Sequence, residues 1–207
     1  ALVSNTTGPS NVAVGLSSLQ GNTTGISNSA FGTYALKDNT TGNYNTALGG
    51  DIPGGTYGSL AANTTGSSNV AVGTAALRSN TTASNNTAVG YRALDLNTTG
   101  ANRTAIGFES SKGSDTETDG TVSVGYRAMY MNSATTADAT DSVAVGYLAL
   151  GATAATTASL INNTGVGAYA LSFNSSTTAT ANYNAAVGTS AMQFNANTTG
   201  TVTKSGT

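Results

Sequence analysis

The sequence contains no cysteine, no histidine and no tryptophan. A chain without cysteine forms no disulfide. A chain without cysteine and histidine also lacks the side chains that most often act as nucleophile, general base or transition-metal ligand. Only 8% of the residues are charged, against roughly a quarter in an average soluble domain. We therefore expect no enzymatic activity and no cofactor.

Net charge and long apolar runs are scarce as well. The formal charge is −2, so nothing indicates binding to nucleic acid or to an anionic membrane. No apolar run approaches the roughly 20 residues that span a bilayer. Residues 1–9 contain no signal peptide, and the chain starts without Met. We expect a processed piece of a longer protein, with no membrane insertion and no nucleic-acid partner.

Short repeats fill the chain instead. The common pattern is a small polar residue, most often Asn, a variable residue, Ala, an apolar residue and Gly, then two variable positions, Ala or Ser, and Leu or Met, as in residues 11–19 and 86–94. Ten copies are marked by their glycines: Gly15, Gly32, Gly49, Gly73, Gly90, Gly107, Gly125, Gly146, Gly167 and Gly188. The spacings are 17, 17, 24, 17, 17, 18, 21, 21 and 21 residues. The base period is therefore 17, and Asn-Thr-Thr-Gly separates most of the early copies.

This repeat predicts a parallel β-solenoid. Seventeen residues are too few for a helix pair, whose repeats begin at about 33 residues, and the segment before each glycine alternates with period two. We expect two short strands in each coil, joined by turns at the glycine and at Asn-Thr-Thr-Gly. The predicted fold class is all-β, with about ten short coils in one segment over residues 1–207. Stacked Asn and Thr side chains are expected to form ladders.

The apolar residue before each glycine is the predicted structural core, because no copy is polar there. The column comprises Val14, Phe31, Leu48, Val72, Val89, Ile106, Val124, Val145, Val166 and Val187. A second apolar column, of Leu and Met, is expected to end the second strand, and only Ser111 breaks it.

The residue before this column is Ala in eight of the ten copies. We expect so small a side chain where another subunit packs closely. Two buried aliphatic residues per coil contribute about 3–6 kcal/mol, which is little against an ordering cost of roughly 1–2 kcal/mol per residue. The sequence therefore favours an oligomer, without choosing three subunits over two.

The repeat also resembles known families. Asn-x-Ala-Val-Gly-x-x-Ala-Leu resembles the head repeats of trimeric autotransporter adhesins. The longer form Asn-Thr-Thr-Gly-x-x-Asn-x-Ala-Val-Gly-Tyr-x-Ala-Leu, of which residues 80–94 are a specimen with Ala83 at the first glycine, is similar to repeats in phage tail fibres and related virion fibres. The resemblance covers nearly the whole chain. It implies a left-handed β-roll, a homotrimer, an extracellular or virion-surface location, and attachment to a cell-surface glycan or protein receptor.

Two departures from the adhesin pattern favour a virion fibre over a bacterial adhesin head. The coils of 17 to 21 residues are longer than the shortest adhesin coils, and no neck, coiled-coil stalk or membrane anchor is recognisable. An inert spacer is a further alternative. From another class, an ice-binding β-solenoid is suggested by the Thr ladders, although insertions are expected to interrupt the regular Thr face that ice binding needs.

One acidic cluster is a weak metal candidate. Asp115, Glu117 and Asp119 precede Gly120 and resemble the first half of a calcium loop, but the twelfth position is Tyr126 instead of Glu. We therefore prefer the interpretation that these residues form a solvated turn.

The surface-contact candidates are aromatic residues directly after a repeat glycine: Tyr91, Phe108, Tyr126 and Tyr147. Such rings either bind a ligand such as a glycan or fill a subunit interface. Arg92 and Arg127 follow two of them and are expected to pair with nearby carboxylates. The remaining contact candidates are the loops at residues 50–56, 110–120, 134–141 and 151–159, since binding residues tend to lie on variable loops.

Overall fold

A computed structural model describes residues 1–51, 55, 58–113, 119–131, 136–152, 157–173, 178–193 and 201–205. In these residues the chain is all-β without a helix, and its parallel strands stack as a β-solenoid of about eight turns. In chain order the strands are β1 (Val12–Val14), β2 (Ser29–Phe31), β3 (Thr46–Leu48), β4 (Val70–Val72), β5 (Thr87–Val89), β6 (Thr104–Ile106), β7 (Val122–Val124), β8 (Thr136–Asp138), β9 (Val143–Val145), β10 (Thr157–Ser159), β11 (Thr164–Val166), β12 (Thr178–Asn182), β13 (Ala185–Val187) and β14 (Thr201–Ser205).

Ten of these strands form the main sheet, in the order β1-β2-β3-β4-β5-β6-β7-β9-β11-β13. Each repeat contributes one strand, and equivalent residues lie side by side, so that Ala13 aligns with Ala30 and Ala30 with Ala47. The predicted stacking of the repeats is confirmed. The number of turns is lower than the ten predicted coils, since ten stacked strands enclose fewer complete turns than strands.

The prediction of the core was wrong, because the strands face the other way. The column Val14, Phe31, Leu48, Val72, Val89, Ile106, Val124, Val145, Val166 and Val187 lies on the outer face of the main sheet, with Val14 55% and Val187 75% exposed. The Ala column, expected at a subunit contact, points into the solenoid, and Ala30, Ala47 and Ala71 are fully buried. Each coil closes around a narrow interior, where only a small side chain fits opposite the buried Leu column.

The Leu column is buried as predicted, but it does not end a second strand. Leu36, Leu77 and Leu94 are fully buried within turns, and their backbones are left-handed with φ of 50 to 52°. This conformation costs roughly 1–2 kcal/mol for a residue with a Cβ. The tight turn nevertheless directs each Leu into the core, and burial of the side chain returns about 1.5–3 kcal/mol.

Buried asparagines form two ladders along the axis, as the stacked repeats predict. In the first, Asn22 Nδ2 donates to Asn5 Oδ1 at 2.7 Å and to the Gly25 carbonyl at 3.0 Å. The same pair of bonds recurs at Asn39, Asn63, Asn80 and Asn97. The second ladder runs through Asn11, Asn28, Asn45, Asn69 and Asn86. These bonds give the buried side-chain amides and the buried carbonyl groups of the turns their hydrogen-bond partners.

A polar layer built around Arg103 divides the interior. Arg103 occupies an asparagine position of the second ladder, where it is 2% exposed. Its guanidinium donates to Thr121 Oγ1, Asn97 Oδ1 and Ser111 Oγ at 2.8 to 3.0 Å. Burial lowers its pKa to about 9, although the charge of Asp119 acts in the opposite direction. Ser111, the single break in the Leu column, thus accommodates this side chain, and separate apolar clusters lie on the two sides of the layer.

The insertions leave the coil beneath them intact, as expected. Ser59 N donates to the Gly49 carbonyl at 3.2 Å across the first insertion, which is the bond that Ala76 makes to Gly73 at 3.2 Å in a coil without one. The later insertions contain strands at positions that the sequence predicts to be loops. Strands β14, β12, β10 and β8 form a second parallel sheet in that order.

We predict that Gly90→Ala destabilises the solenoid more than Gly188→Ala. Both glycines have a φ that disfavours L residues, +136° and +124°, which costs about 1–3 kcal/mol in either variant. At Gly90 a Cβ would also clash with the backbone of Gly107 in the next coil, whereas at Gly188 its nearest neighbour is 4.0 Å away. Chemical denaturation should show a loss for Gly90→Ala at least about twice that of the control. Equal losses would contradict close coil contact.

We also predict that Asn63→Ala lowers the free energy of unfolding by about 3 kcal/mol. The change removes three buried hydrogen bonds, to Asn39 Oδ1, to the Gly66 carbonyl and from Asn80 Nδ2. The Gly66 carbonyl and Asn80 Nδ2 each keep one other bond. The control is Thr65→Ala in the same turn, at an exposed position, where we expect less than about 0.5 kcal/mol. Similar values for the two variants would show that the ladder contributes little.

Candidate binding surfaces

The outer apolar face is the column of apolar residues at the third position of the strands, on the outward side of the main sheet. Each strand turns its first and third residues outward and its middle residue inward, as in β3, where Ala47 is buried between two exposed neighbours. In the third position of the strands Phe31, Leu48 and Ile106 are 40 to 50% exposed. Soluble monomers rarely expose a continuous apolar surface of this kind. The face is therefore the main candidate for contact with another chain.

An aromatic ladder borders the outer apolar face. The structure brings together all four predicted residues, and the ring centroids of Tyr91, Phe108, Tyr126 and Tyr147 follow one another at 5.1 to 5.3 Å. The rings are nearly parallel, so each covers the faces of its neighbours and turns its edge to solvent. A hydrogen bond with Tyr169 raises the pKa of Tyr147. The ladder therefore offers hydroxyl groups and ring edges to a ligand, and the faces of Phe108 and Tyr126, which are stacked on both sides, are not available for sugar stacking.

The cation strip is a set of five basic residues around the next corner of the coil: Lys37, Arg78, Arg92, Lys112 and Arg127. Each lies two or five residues after a repeat glycine, so the five stack in two adjacent columns. The chain has seven Lys and Arg residues, and the others are the buried Arg103 and Lys204 in β14. Three carboxylates belong to the same columns or lie next to them: Asp38, Asp95 and Glu109.

Two of these carboxylates are covered by the cations that they bind. Asp95 is fully buried and accepts from Arg78 Nε and Arg92 Nε at 2.7 Å each. The side chain of Glu109 is 6% exposed and accepts from Lys112 Nζ at 2.7 Å and from Arg127 Nη2 at 2.7 Å. Arg127 also lies over the ring of Tyr126, 5.4 Å from its centroid. The prediction that Arg92 and Arg127 pair with carboxylates is confirmed.

The ion-pair network of these side chains was not predicted from the sequence, which gave no role to Asp95, Glu109, Arg78 or Lys112. The signal was present in the coil spacing, because Arg78 and Asp95 are 17 residues apart and therefore adjacent in the stack. Burial alone would raise the pKa of Glu109, but hydrogen bonds from Lys112 and Arg127 outweigh it and hold that pKa below its ordinary value. Burial acts against the charged form of Arg92, yet the hydrogen bond to Asp95 raises its pKa.

An open depression lies within the strip, between Lys37 and Arg78. The residue at the equivalent position in the intervening coil is Ala61, whose short side chain leaves the space unfilled. Asp38, which is more than half exposed, lies 3.4 Å from Lys37. The depression thus has a basic residue at each end.

The proposed calcium loop is only partly described. Asp115 and Glu117 lie outside the described residues, and Asp119 Oδ1 accepts a hydrogen bond from the Ala101 amide at 2.6 Å. Among the described residues no group of three or more Asp or Glu side chains is placed to hold a metal ion. Parts of all four candidate contact loops also lie outside the described residues. In the last two of these loops, residues 136–138 and 157–159 form strands β8 and β10.

The Thr ladder on the opposite turn runs through the first insertion without a break. Thr40 Oγ1 donates to the Thr64 carbonyl at 2.9 Å, as Thr23 Oγ1 does to the Thr40 carbonyl at 3.0 Å. The expectation that this insertion interrupts the Thr face was wrong, since the insertion leaves the coil at another corner. The interruption expected after Gly107 falls partly outside the described residues, and the last bond of the ladder joins Thr81 Oγ1 to the Thr98 carbonyl. The following Thr of each turn is exposed, as at Thr41 and Thr65.

Comparison with known proteins gives no match: no family model, no curated protein and no solved structure is similar to this chain at a significant level. No helix long and apolar enough to cross a membrane occurs in the part of the chain that the structure describes.

We predict that Glu109 makes the solenoid less stable in acid. Its pKa is lower in the folded chain than in the unfolded chain, so its stabilising effect is complete above the unfolded pKa of about 4.3. The effect is lost as the pH falls through the lower, folded pKa. Denaturation at about pH 7, 5 and 3 should show a smaller loss for Glu109→Gln than for the unmodified chain. Asp38→Asn, at an exposed pair, should keep the full loss, and an unchanged profile for Glu109→Gln would contradict the assignment.

Proposed function

We propose that this chain is a segment of an extracellular attachment fibre, a virion tail fibre in the first instance, which assembles as a homotrimer and contacts a host or cell surface. The single observation that carries the proposal is the outer apolar face, which one chain leaves open to water along the main sheet. Burying such a face between subunits removes apolar area from water at about 25 cal/mol per Å².

The geometry of the solenoid supports an extended fibre. Ten strands at about 4.8 Å give a rod roughly 50 Å long, and its outer face has the same residue classes in nearly every coil. Copies placed side by side along a common axis would therefore bring the apolar third-position residues of their strands together over the full length. We assign three copies and a left-handed coil from the resemblance of the repeat to phage fibres and trimeric adhesins.

A bacterial adhesin head is the alternative within this class, and it requires the same trimer. An ice-binding solenoid is the alternative from another class, and the Thr ladder that runs from Thr6 to Thr98 across the first insertion is the observation in its favour. The two Thr residues of each turn are consecutive, and the first hydroxyl bonds to the next coil. Only one column of hydroxyls is therefore presented, which is not a flat two-dimensional array.

We predict a stable threefold mass for this segment in dilute solution, measured by sedimentation equilibrium. Leu48→Lys should reduce the mass to that of one chain, because Leu48 is half exposed on the outer apolar face and a buried unpaired charge opposes association. Thr65→Lys is the matched control, since it adds the same charge on the exposed opposite turn and should leave the trimer intact.

A folded monomer of the unmodified chain would overturn the trimeric fibre, and ice growth would then be measured in its presence. Circular dichroism checks that Leu48→Lys keeps its β structure. Binding of the labelled trimer to a panel of bacterial and eukaryotic cells tests attachment itself. A trimer that binds none of these cells would favour the inert spacer.

A further inference from the structure

We propose that the cation strip, with the aromatic ladder beside it, binds a linear anionic glycan along the solenoid axis. This inference rests on the proposed attachment function and names the chemistry of the receptor. The glycan class is recognised by carboxylate or sulfate groups, which accept hydrogen bonds from guanidinium and ammonium groups, and by hydroxyl groups, which the tyrosines can bind.

The first argument is that two carboxylates of the strip are buried, whereas the arginines above them reach solvent. Asp95 and Glu109 lie beneath the strip, with side chains 0% and 6% exposed, whereas Arg92 and Arg127 above them are 33% and 36% exposed. Solvent therefore meets the cations, while the carboxylates that balance them in part are covered. A guanidinium has five N–H donors, and in Arg92 the bond to Asp95 uses the Nε–H.

The second argument is the distribution of charge over the whole chain. The strip has five cations and three carboxylates, a net charge of +2, in a chain whose total is −2. The remaining residues consequently have a net charge of −4. A local positive surface on a negative chain attracts a polyanion at that place and repels it elsewhere, which orients its approach.

The third argument is the axial spacing of the cations. Arg78, Arg92, Lys112 and Arg127 lie in four successive coils, at a rise of about 4.8 Å per coil. The four charges therefore cover roughly 15 Å in a line, and Lys37 extends the line past the depression. A flexible chain with anionic groups at intervals of one or two coils can meet several of these cations at once.

The aromatic ladder adds hydrogen-bonding groups next to the strip. Tyr91 and Tyr126 directly precede Arg92 and Arg127, and their rings are 38% and 41% exposed. The ladder therefore supplies the hydroxyl groups of Tyr91, Tyr126 and Tyr147 beside the cations. Its inner rings, Phe108 and Tyr126, are stacked on both faces, so they do not offer these faces to unstacked bases, which single-stranded nucleic acid would need. The observations therefore favour a glycan over nucleic acid.

The test measures binding of the assembled protein to immobilised heparin and polygalacturonate, with neutral dextran as reference, at about 0.15 M and about 0.5 M salt. We expect binding to both polyanions, weakened by salt, and none to dextran. Lys37→Gln and Arg127→Gln should each weaken binding about two- to fivefold, and the double variant about tenfold. Thr65→Glu lowers the net charge by the same amount as each single change but outside the strip, and should bind like the unmodified chain.

Three results would overturn the inference. These are an equal loss for Thr65→Glu and Arg127→Gln, equally tight binding of a single-stranded oligonucleotide, and no binding to either polyanion by the folded protein. Lys37→Gln is the second variant if Arg127→Gln fails to fold, since the contacts of Lys37 with Asp38 and with the ring of Tyr34 lie at the surface. A trimer that binds cells but no polyanion would reject this inference and leave the proposed function standing. A monomer that binds neither would reject the proposed function.

Discussion

Hydrogen bonds parallel to the axis join each coil of this solenoid to the next, in the backbone of the main sheet and in the Asn side chains of the interior. They require equivalent positions of the repeat to stack at about 4.8 Å, which limits the residues that each position can hold. Glycine is needed where backbone meets backbone, as at Gly90 and Gly107. Alanine is needed where the strand faces a narrow interior, and asparagine where turn carbonyls would otherwise be buried without a donor.

The repeat was sufficient to predict the stack of parallel strands and the buried Leu column, since both follow from spacing and polarity. It was not sufficient to orient the strand. Val14 and Ala13 point to opposite sides of the strand whichever of them faces the interior. The usual rule that the larger apolar residue lies inside therefore predicted Val14 in the core, which was wrong. That rule fails because the closed coil has room only for Ala13 opposite Leu19. Period-21 Thr-Ala pairs at residues 136, 157 and 178 could have indicated the second sheet.

Charged residues follow the same stacking logic but were harder to predict as a network. Aromatic residues after glycine formed the expected column, because a single position repeats. The ion pairs join two different positions of neighbouring coils, as in Arg78 and Asp95, so they become visible only when the coils are laid over one another. Arg103 is a further case, since its backbone N–H bonds to Asn86 of the second ladder while its side chain bonds to Asn97 of the first ladder and to Ser111. The polar layer around Arg103 therefore cannot be predicted from any one position of the repeat.

The axial direction of the ladders also determines how the rod would yield when it is pulled from its ends. Tension along the axis opposes the bonds between one pair of coils at a time, so an end coil detaches before those behind it are loaded. A coil that rises about 4.8 Å when folded releases 17 residues, or roughly 55 Å of extended chain. Each rupture therefore lengthens the rod by about ten times the height of the coil that it loses, and the load is absorbed stepwise while the remaining coils stay closed.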